Sequence, residues 1–472
     1  FCRQDTADKT SRHSMHERSD RMLDLIVKNG HIVNAHEELD ADIAVKDGKI
    51  VEIGDAEYFP EAKETVDASD LLVFPGLIDS HVHIQSRTSP ENESLDNYYN
   101  GSIAAAYGGT TTFVDFALPS KTQTPAEAME EKLEKAKGQC VVNYSFHSGI
   151  NRGDAQSFDD VAQLRKSGFP SVKVFTVYRN NLMLEKPDML EVMRSAGKDG
   201  GLVMIHAESA DLIEHNIEKA VQSGKTLPID HADSRPIITE MEAISSVLSM
   251  QKETGVPIIL AHTTAGQARH LLNAHPNKNV FVEVCPHYLI LTKSLYKQSD
   301  GYKYVCSPPF RTEEERKELW KMLEQGFVQL INSDHTDYSI GQKVAHKNYF
   351  PDIPNGLPTL ETRGTVFFSE SVAKGRISLC KFVELTSTNA ARLMGMYPQK
   401  GILQAGADAD IVLFDPKYHS IHTVDSLHMQ TDYSPFAGME MTGRVVDTIV
   451  DGNIVIDQGK YRESAFRGML VK

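Results

Sequence analysis

Cysteine is scarce in this 472-residue chain: Cys2, Cys140, Cys285, Cys306 and Cys380 are scattered, with no CxxC pair and no disulfide-like spacing. That pattern excludes a disulfide-stapled scaffold and is the usage of a reducing compartment, so a cytoplasmic location is expected. Each thiol reads as a small buried hydrophobe. No apolar run is long enough to span a bilayer, so neither a transmembrane helix nor a membrane partner is expected. Positive charge is also short, with 49 Lys and Arg against 65 Asp and Glu and a formal charge of −16. A surface built to neutralise phosphates is thereby excluded, and no nucleic-acid partner is expected. Low-complexity tracts and repeats of about 20–50 residues are absent. Gly108-Gly109-Thr110-Thr111-Thr112 lacks the lysine of a phosphate-binding loop, so no nucleotide cofactor is expected. Residues 1–21 are polar, with no apolar stretch of the kind a secretory signal needs, and read as an extension outside the fold.

What is present is ordinary globular material, 40% hydrophobic and 24% charged, long enough for more than one folding unit. The runs 23–30 and 41–50 are short, β-branched and closed by Asn29-Gly30 and Asp47-Gly48, both hairpin signals. The same texture returns at 409–414 and 446–456, with Asp451-Gly452 inside it. One small β domain, a sandwich built from residues 22–75 plus 391–460, is the economical reading. Between its halves the texture alternates. Strand-like runs at 203–205, 257–261 and 328–331 interleave with helical periods at 238–254 and 312–325. That alternation predicts an α/β fold with parallel strands, and residues 76–390 are long enough for a (β/α)₈ barrel. The tail 461–472 is expected either to reach a neighbouring copy or to fray.

The most informative segment is Phe74-Pro75-Gly76-Leu77-Ile78-Asp79-Ser80-His81-Val82-His83. Residues i and i+2 of a strand share a face, so His81 and His83 present two imidazoles side by side, as a metal site requires. With 19 histidines in 472 residues, about one such pair is expected by chance, and spacing alone leaves coincidence open. Later candidates change the balance. His206, His262 and Asp334 each follow an apolar strand-like run, which is where barrel enzymes keep their active sites. Four histidines and one aspartate hold two divalent cations only if an anionic ligand bridges them. Lys173, in the middle of the apolar run Ser171-Val172-Lys173-Val174-Phe175, is the notable candidate. Either it snorkels or pairs with a carboxylate, or its neutral amine has added carbon dioxide to become a carbamate with two ligating oxygens.

These motifs, together with Ile205-His206-Ala207-Glu208, Glu283-Val284-Cys285-Pro286-His287-Tyr288-Leu289 and Ser333-Asp334-His335, resemble the amidohydrolase superfamily. Within it they are most similar to the cyclic amidases: dihydropyrimidinases, hydantoinases, allantoinases and dihydroorotases. The likeness runs from about Leu23 to Tyr461. It implies one zinc on His81, His83 and Asp334 and a second on His206 and His262, bridged by carboxylated Lys173 and a hydroxide. Manganese or cobalt would also suit such ligands. Dihydroorotases resemble HxHxR at the first strand, whereas Gln85 stands here, which counts against an acidic ring. Tyr178 matches the tyrosine of dihydropyrimidinases and hydantoinases. Ser307 in Cys306-Ser307-Pro308-Pro309 and Asn355 in Ile353-Pro354-Asn355-Gly356 match residues that hold the ring imide. Around both, the sequence looks closest to hydantoinases.

The implied activity is hydrolytic opening of hydantoins or 5,6-dihydropyrimidines to N-carbamoyl amino acids. Asp334 would act as base and then acid, and Tyr178 would donate to the developing oxyanion. A homotetramer is the implied assembly and a small cyclic amide the implied partner. Allantoinase is the alternative reading. Further off stand the collapsin-response mediators, non-enzymatic relatives that have lost metal ligands, and then a deaminase or exocyclic amidase. His147 and His287 recur in such sequences and are assigned structural places. Ring and enantiomer are expected to be set by the loops 85–100 and 178–184.

Overall fold

The computed structural model describes residues 22–89, 92–275 and 277–472, so the expected N-terminal extension, 1–21, lies outside the described residues. The first five strands are β1 (Leu23–Val33), β2 (Glu38–Lys46), β3 (Lys49–Gly54), β4 (Ala62–Asp67) and β5 (Leu72–Pro75). Asp47-Gly48 makes the turn between β2 and β3, with φ of 50° and 75°. Asn29-Gly30 does not make a turn. It sits inside β1 as a bulge, where pairing with β2 slips between Val27 and Gly30. Asn29 takes φ 60° and its side-chain amide donates to Asp67 (2.9 Å), while a Cβ on Gly30 would collide with Val73. The same dipeptide chemistry that turns a chain thus also bends one strand, and the bulge lets β1 pair with β4 along its first half and β5 along its second.

Chain then enters the barrel: β6 (Leu77–Val82), a small ribbon of β7 (Arg87–Ser89) and β8 (Asn92–Glu93), then β9 (Thr110–Ala117), β10 (Asn143–Gly149), β11 (Ser171–Phe175), β12 (Leu202–His206), β13 (Ile258–Leu260), β14 (Val280–Val284) and β15 (Leu330–Ile331). Apart from the ribbon these eight pair in parallel in chain order, and a bridge from Val82 to His335 returns the last to the first. Helices alternate with them as the periodicity predicts. One runs Ile237–Thr254, and another runs Glu313–Glu324 between Thr312 as cap and Gln325. Gly76 opens β6 because a side chain there would strike Thr111 of β9. No helix among the described residues is long and apolar enough to cross a membrane.

The remaining strands, β16 (Ile411–Ile421), β17 (Glu440–Val450), β18 (Asn453–Asp457) and β19 (Lys460–Tyr461), complete the terminal sheet in the order β19-β18-β17-β16-β5-β1-β2-β3. Leu25, Val27, Ile43 and Val45 meet Ile411, Leu413, Val446 and Ile449 in one apolar cluster, so the sheet folds back on itself as a sandwich. The tail is bonded to its own barrel rather than frayed. Tyr144 at the start of β10 donates to Met469 and accepts from Val471 (3.0 and 2.8 Å). Val471 packs against the apolar cluster that includes Ile78, Val114, Leu202 and Ile259, so the tail lies against the floor of the barrel, the end away from the strands' C-termini.

Candidate metal centre

His81 lies near the end of β6 and His83 just past it. Lys173 is in mid-β11, His206 ends β12, His262 comes two residues after β13, and Asp334 three after β15. All six face one cavity of about 600 Å³ that Tyr178, Ser307 and Asn355 also line. The structure therefore brings every site residue expected from the sequence to one mouth of the barrel. Three of them hold backbone in the left-handed region that side chains rarely adopt: Tyr178 (φ 69°), His262 (33°) and Asp334 (49°). Strain of this kind persists where the surroundings over-determine it, and here it turns side chains off strand ends into the cavity.

Donor atoms of His81, His262 and Asp334 lie within 4.8 Å of one another. His81 Nε2 is 3.1 Å from an Asp334 oxygen without a hydrogen bond's alignment, and His83 Nε2 is 3.4 Å from the same oxygen. The rings of His206 and His262 are 4.4 Å apart. His81 Nε2, His262 Nδ1 and Lys173 Nζ are buried and have no hydrogen-bond partner. Unpaired polar atoms inside a protein are costly, and open nitrogens of His81 and His262 meeting Asp334 are the pattern a cation relieves. The opposite faces of the rings agree. His81 Nδ1 is bonded to Glu283 (2.7 Å), and His206 Nε2 to Glu208 (2.7 Å), which Arg235 holds in turn (2.8 Å). Metal-ligating imidazoles are fixed in this way by a carboxylate on their second nitrogen. The donor set fits divalent metal.

Charge in the site follows burial. Lys173 neither snorkels nor finds a carboxylate. It is 1% exposed, with Nζ 4.9 and 5.1 Å from the rings of Phe116 and Phe175. Burial brings its amine down to about 8, which favours the neutral form. Burial would raise the Asp334 carboxyl, but His81 and His83 outweigh it and hold the group well below the usual range. Tyr178 is pushed by burial up to about 12, although Arg235 nearby acts the other way, so it stays a proton donor. Ser307 Oγ donates to Asn355 Oδ1 (3.1 Å), tying together the two segments of the opposite wall.

Sequence reading gave no role to Glu283, Glu208, Arg235 or Asn332, which orient the ligands. Glu283 accepts from His81, from the His262 backbone (2.8 Å) and from Asn332 Nδ2 (2.7 Å). The available signal was the one used for Lys173, a charged residue inside an apolar strand. His147 is structural as expected, bonded to Ser171 Oγ (2.5 Å) and the Ser80 carbonyl (2.9 Å). His287, in contrast, lines the cavity.

Residues 72–455 match the amidohydrolase family model, and residues 4–75 the N-terminal domain of the urease alpha-subunit. The chain is 36% identical to a D-hydantoinase of Geobacillus stearothermophilus over 95% of this chain and 96% of that one. With a D-hydantoinase of Rhizobium radiobacter it shares 37% over 93% and 96%. The crystal structure of a dihydropyrimidinase from Brevibacillus agri superposes with a TM-score of 0.92 at 36% identity, covering 94% of this chain and 98% of that one. On these matches the chain belongs to the amidohydrolase family, in the group formed by the hydantoinases and dihydropyrimidinases.

Proposed function

We propose that this protein hydrolyses the ring amide of hydantoins or 5,6-dihydropyrimidines, giving N-carbamoyl amino acids, with two zinc ions at the centre just described. The observation that carries the reading is the convergence of unpaired, buried His81, His262 and Lys173 nitrogens beside Tyr178 in one substrate-sized cavity. His81, His83 and Asp334 would hold one ion and His206 and His262 the other, with carboxylated Lys173 between them. Bound there, the ions supply Lewis acidity that makes a water nucleophilic at neutral pH and polarises a carbonyl.

The chain's own residues do the rest. Ser307 and Asn355 hold the imide edge of the ring, which fixes the scissile carbonyl above Asp334. Tyr178 donates its hydroxyl proton in a hydrogen bond to the carbonyl oxygen as negative charge grows there. Asp334 takes a proton from the attacking water and passes it to the ring nitrogen as the C–N bond breaks. One water is consumed, one acid and one ureido N–H are formed, and Asp334 ends as it began. A homotetramer and a cytoplasmic location belong to the same proposal; light scattering on the purified protein reads the first.

The test is turnover of dihydrouracil, hydantoin, 5-substituted hydantoins, allantoin and dihydroorotate, with metal measured on the same sample. Opening of hydantoin or dihydrouracil with about two zinc ions per chain supports the proposal. Opening of allantoin alone refutes the substrate, and absence of both metal and activity after zinc and bicarbonate refutes the chemistry.

A further inference from the structure

His287 has no part in that scheme. It sits in the one-turn helix Pro286–Ile290 that follows β14, 1% exposed, against the rings of Tyr288 (4.2 Å) and Phe310 (6.0 Å). It lines the cavity of the metal centre, yet neither of its ring nitrogens has a hydrogen-bond partner. The other buried histidines outside the ligand set behave differently. His147 uses both nitrogens, and His231 bonds the Cys306 carbonyl (2.8 Å). Among the described residues His287 is the buried histidine with both nitrogens unpaired.

Burial brings the imidazole down to about 4, with Asp334 the one charged group that opposes the shift. Near neutral pH the ring is therefore uncharged, offering one N–H and one lone pair. A leucine would pack this position without unmade bonds. A polar ring with no protein partner inside a site leaves both nitrogens open to a ligand.

We propose that His287 is a substrate-contacting residue, hydrogen-bonding the cyclic amide in the cavity that it lines together with Asp334. This rests on the ring-opening reading above. In the bound state the imidazole lone pair accepts from the amide N–H, or its N–H donates to the adjoining carbonyl, and either contact helps hold the ring in line with Asp334. It adds a third fixed point to those at Ser307 and Asn355.

The experiment compares wild type, His287→Leu and His287→Gln on whichever ring the wild type opens, with metal content and thermal melting measured on each. His287→Leu is expected to keep its metal, to melt no lower than wild type because two unmade bonds are gone, and to lose about tenfold to a hundredfold in kcat/KM. His287→Gln, which retains a donor and an acceptor, is expected to recover part of that loss. A leucine variant within twofold of wild-type kcat/KM overturns the proposal. So does one that loses metal or melts earlier with no recovery in the glutamine variant, since His287 is then a packing residue. A wild type that opens no ring refutes the reaction instead, and is told apart because it fails before any variant is made.

Discussion

Replacing Glu283 by glutamine tests whether the metal centre is set by the residues behind its ligands. Glu283 accepts three hydrogen bonds with two oxygens: His81 Nδ1 and the His262 backbone on one, Asn332 Nδ2 on the other. Asn332 cannot turn over to adapt, because its oxygen accepts from the Ser80 backbone (3.0 Å) while its amide also donates to Ser80 Oγ (2.9 Å). A glutamine amide must therefore point at a donor on one side or the other. In its better orientation it loses the Asn332 bond, and the bond to His81 Nδ1 loses its charged acceptor. Hydrogen bonds to charged groups contribute about 1.5–3 kcal/mol, a factor of about 10 to 150. Substituting carboxylates that orient metal-bound histidines typically lowers metal affinity about 10–100-fold, the same range. Chelator competition on Glu283→Gln should show zinc held that much more weakly, with the melting profile of the metal-free protein still cooperative. Wild-type zinc affinity in the variant would refute the view that Glu283 fixes His81 with Nε2 towards the metal.

Tyr178→Phe should lower kcat by about 100-fold or more with metal content intact, since a single preorganised donor contributes on that scale; unchanged turnover removes Tyr178 from the chemistry. Asp334→Ala should abolish ring opening, and residual activity above about one part in a hundred would mean another base serves. Lys173→Ala should leave the protein unable to retain two zinc ions, as read by elemental analysis of the dialysed protein. The neutral amine is the form that takes up carbon dioxide, and burial sets its titration near 8. Reactivation of metal-stripped protein by zinc should therefore require bicarbonate and, at a fixed concentration of dissolved carbon dioxide, slow about tenfold per pH unit below that value. A rate flat between pH 6 and 8 at fixed dissolved carbon dioxide would argue against carboxylation of Lys173.

Much of this was legible in the sequence because it is written in period and placement. His81 and His83 two apart on a strand, and His206, His262 and Asp334 past apolar runs, needed only strand geometry and the rule that barrel sites lie at C-terminal strand ends. The helical period read over 312–325 is the helix Glu313–Glu324, which the structure caps with a Thr312–Glu315 box. Asn29-Gly30 misled because a residue in the left-handed region serves a bulge as well as a turn, and only the partner strands decide. Glu283 and His287 were overlooked because their meaning lies in what faces them: three donors in one case, none in the other. The tail was unreadable for the same reason. Val471 is an ordinary residue until the apolar cluster that holds Ile78 and Ile259 is beside it.

The sandwich has a consequence for how the molecule is made. β1 and β5 pair with each other early, but β5 must also accept β16, and Asn34 exchanges hydrogen bonds with Leu403, 369 positions away. Ribosomal synthesis runs from the amino end, so the first strands leave the tunnel with an unpaired edge that stays open until nearly the whole barrel has emerged. The floor segment around Val471 comes later still. Nascent chains should accumulate as a barrel with an incomplete sandwich and an uncovered base, a species that chaperones would recognise by its exposed strand edge and apolar underside.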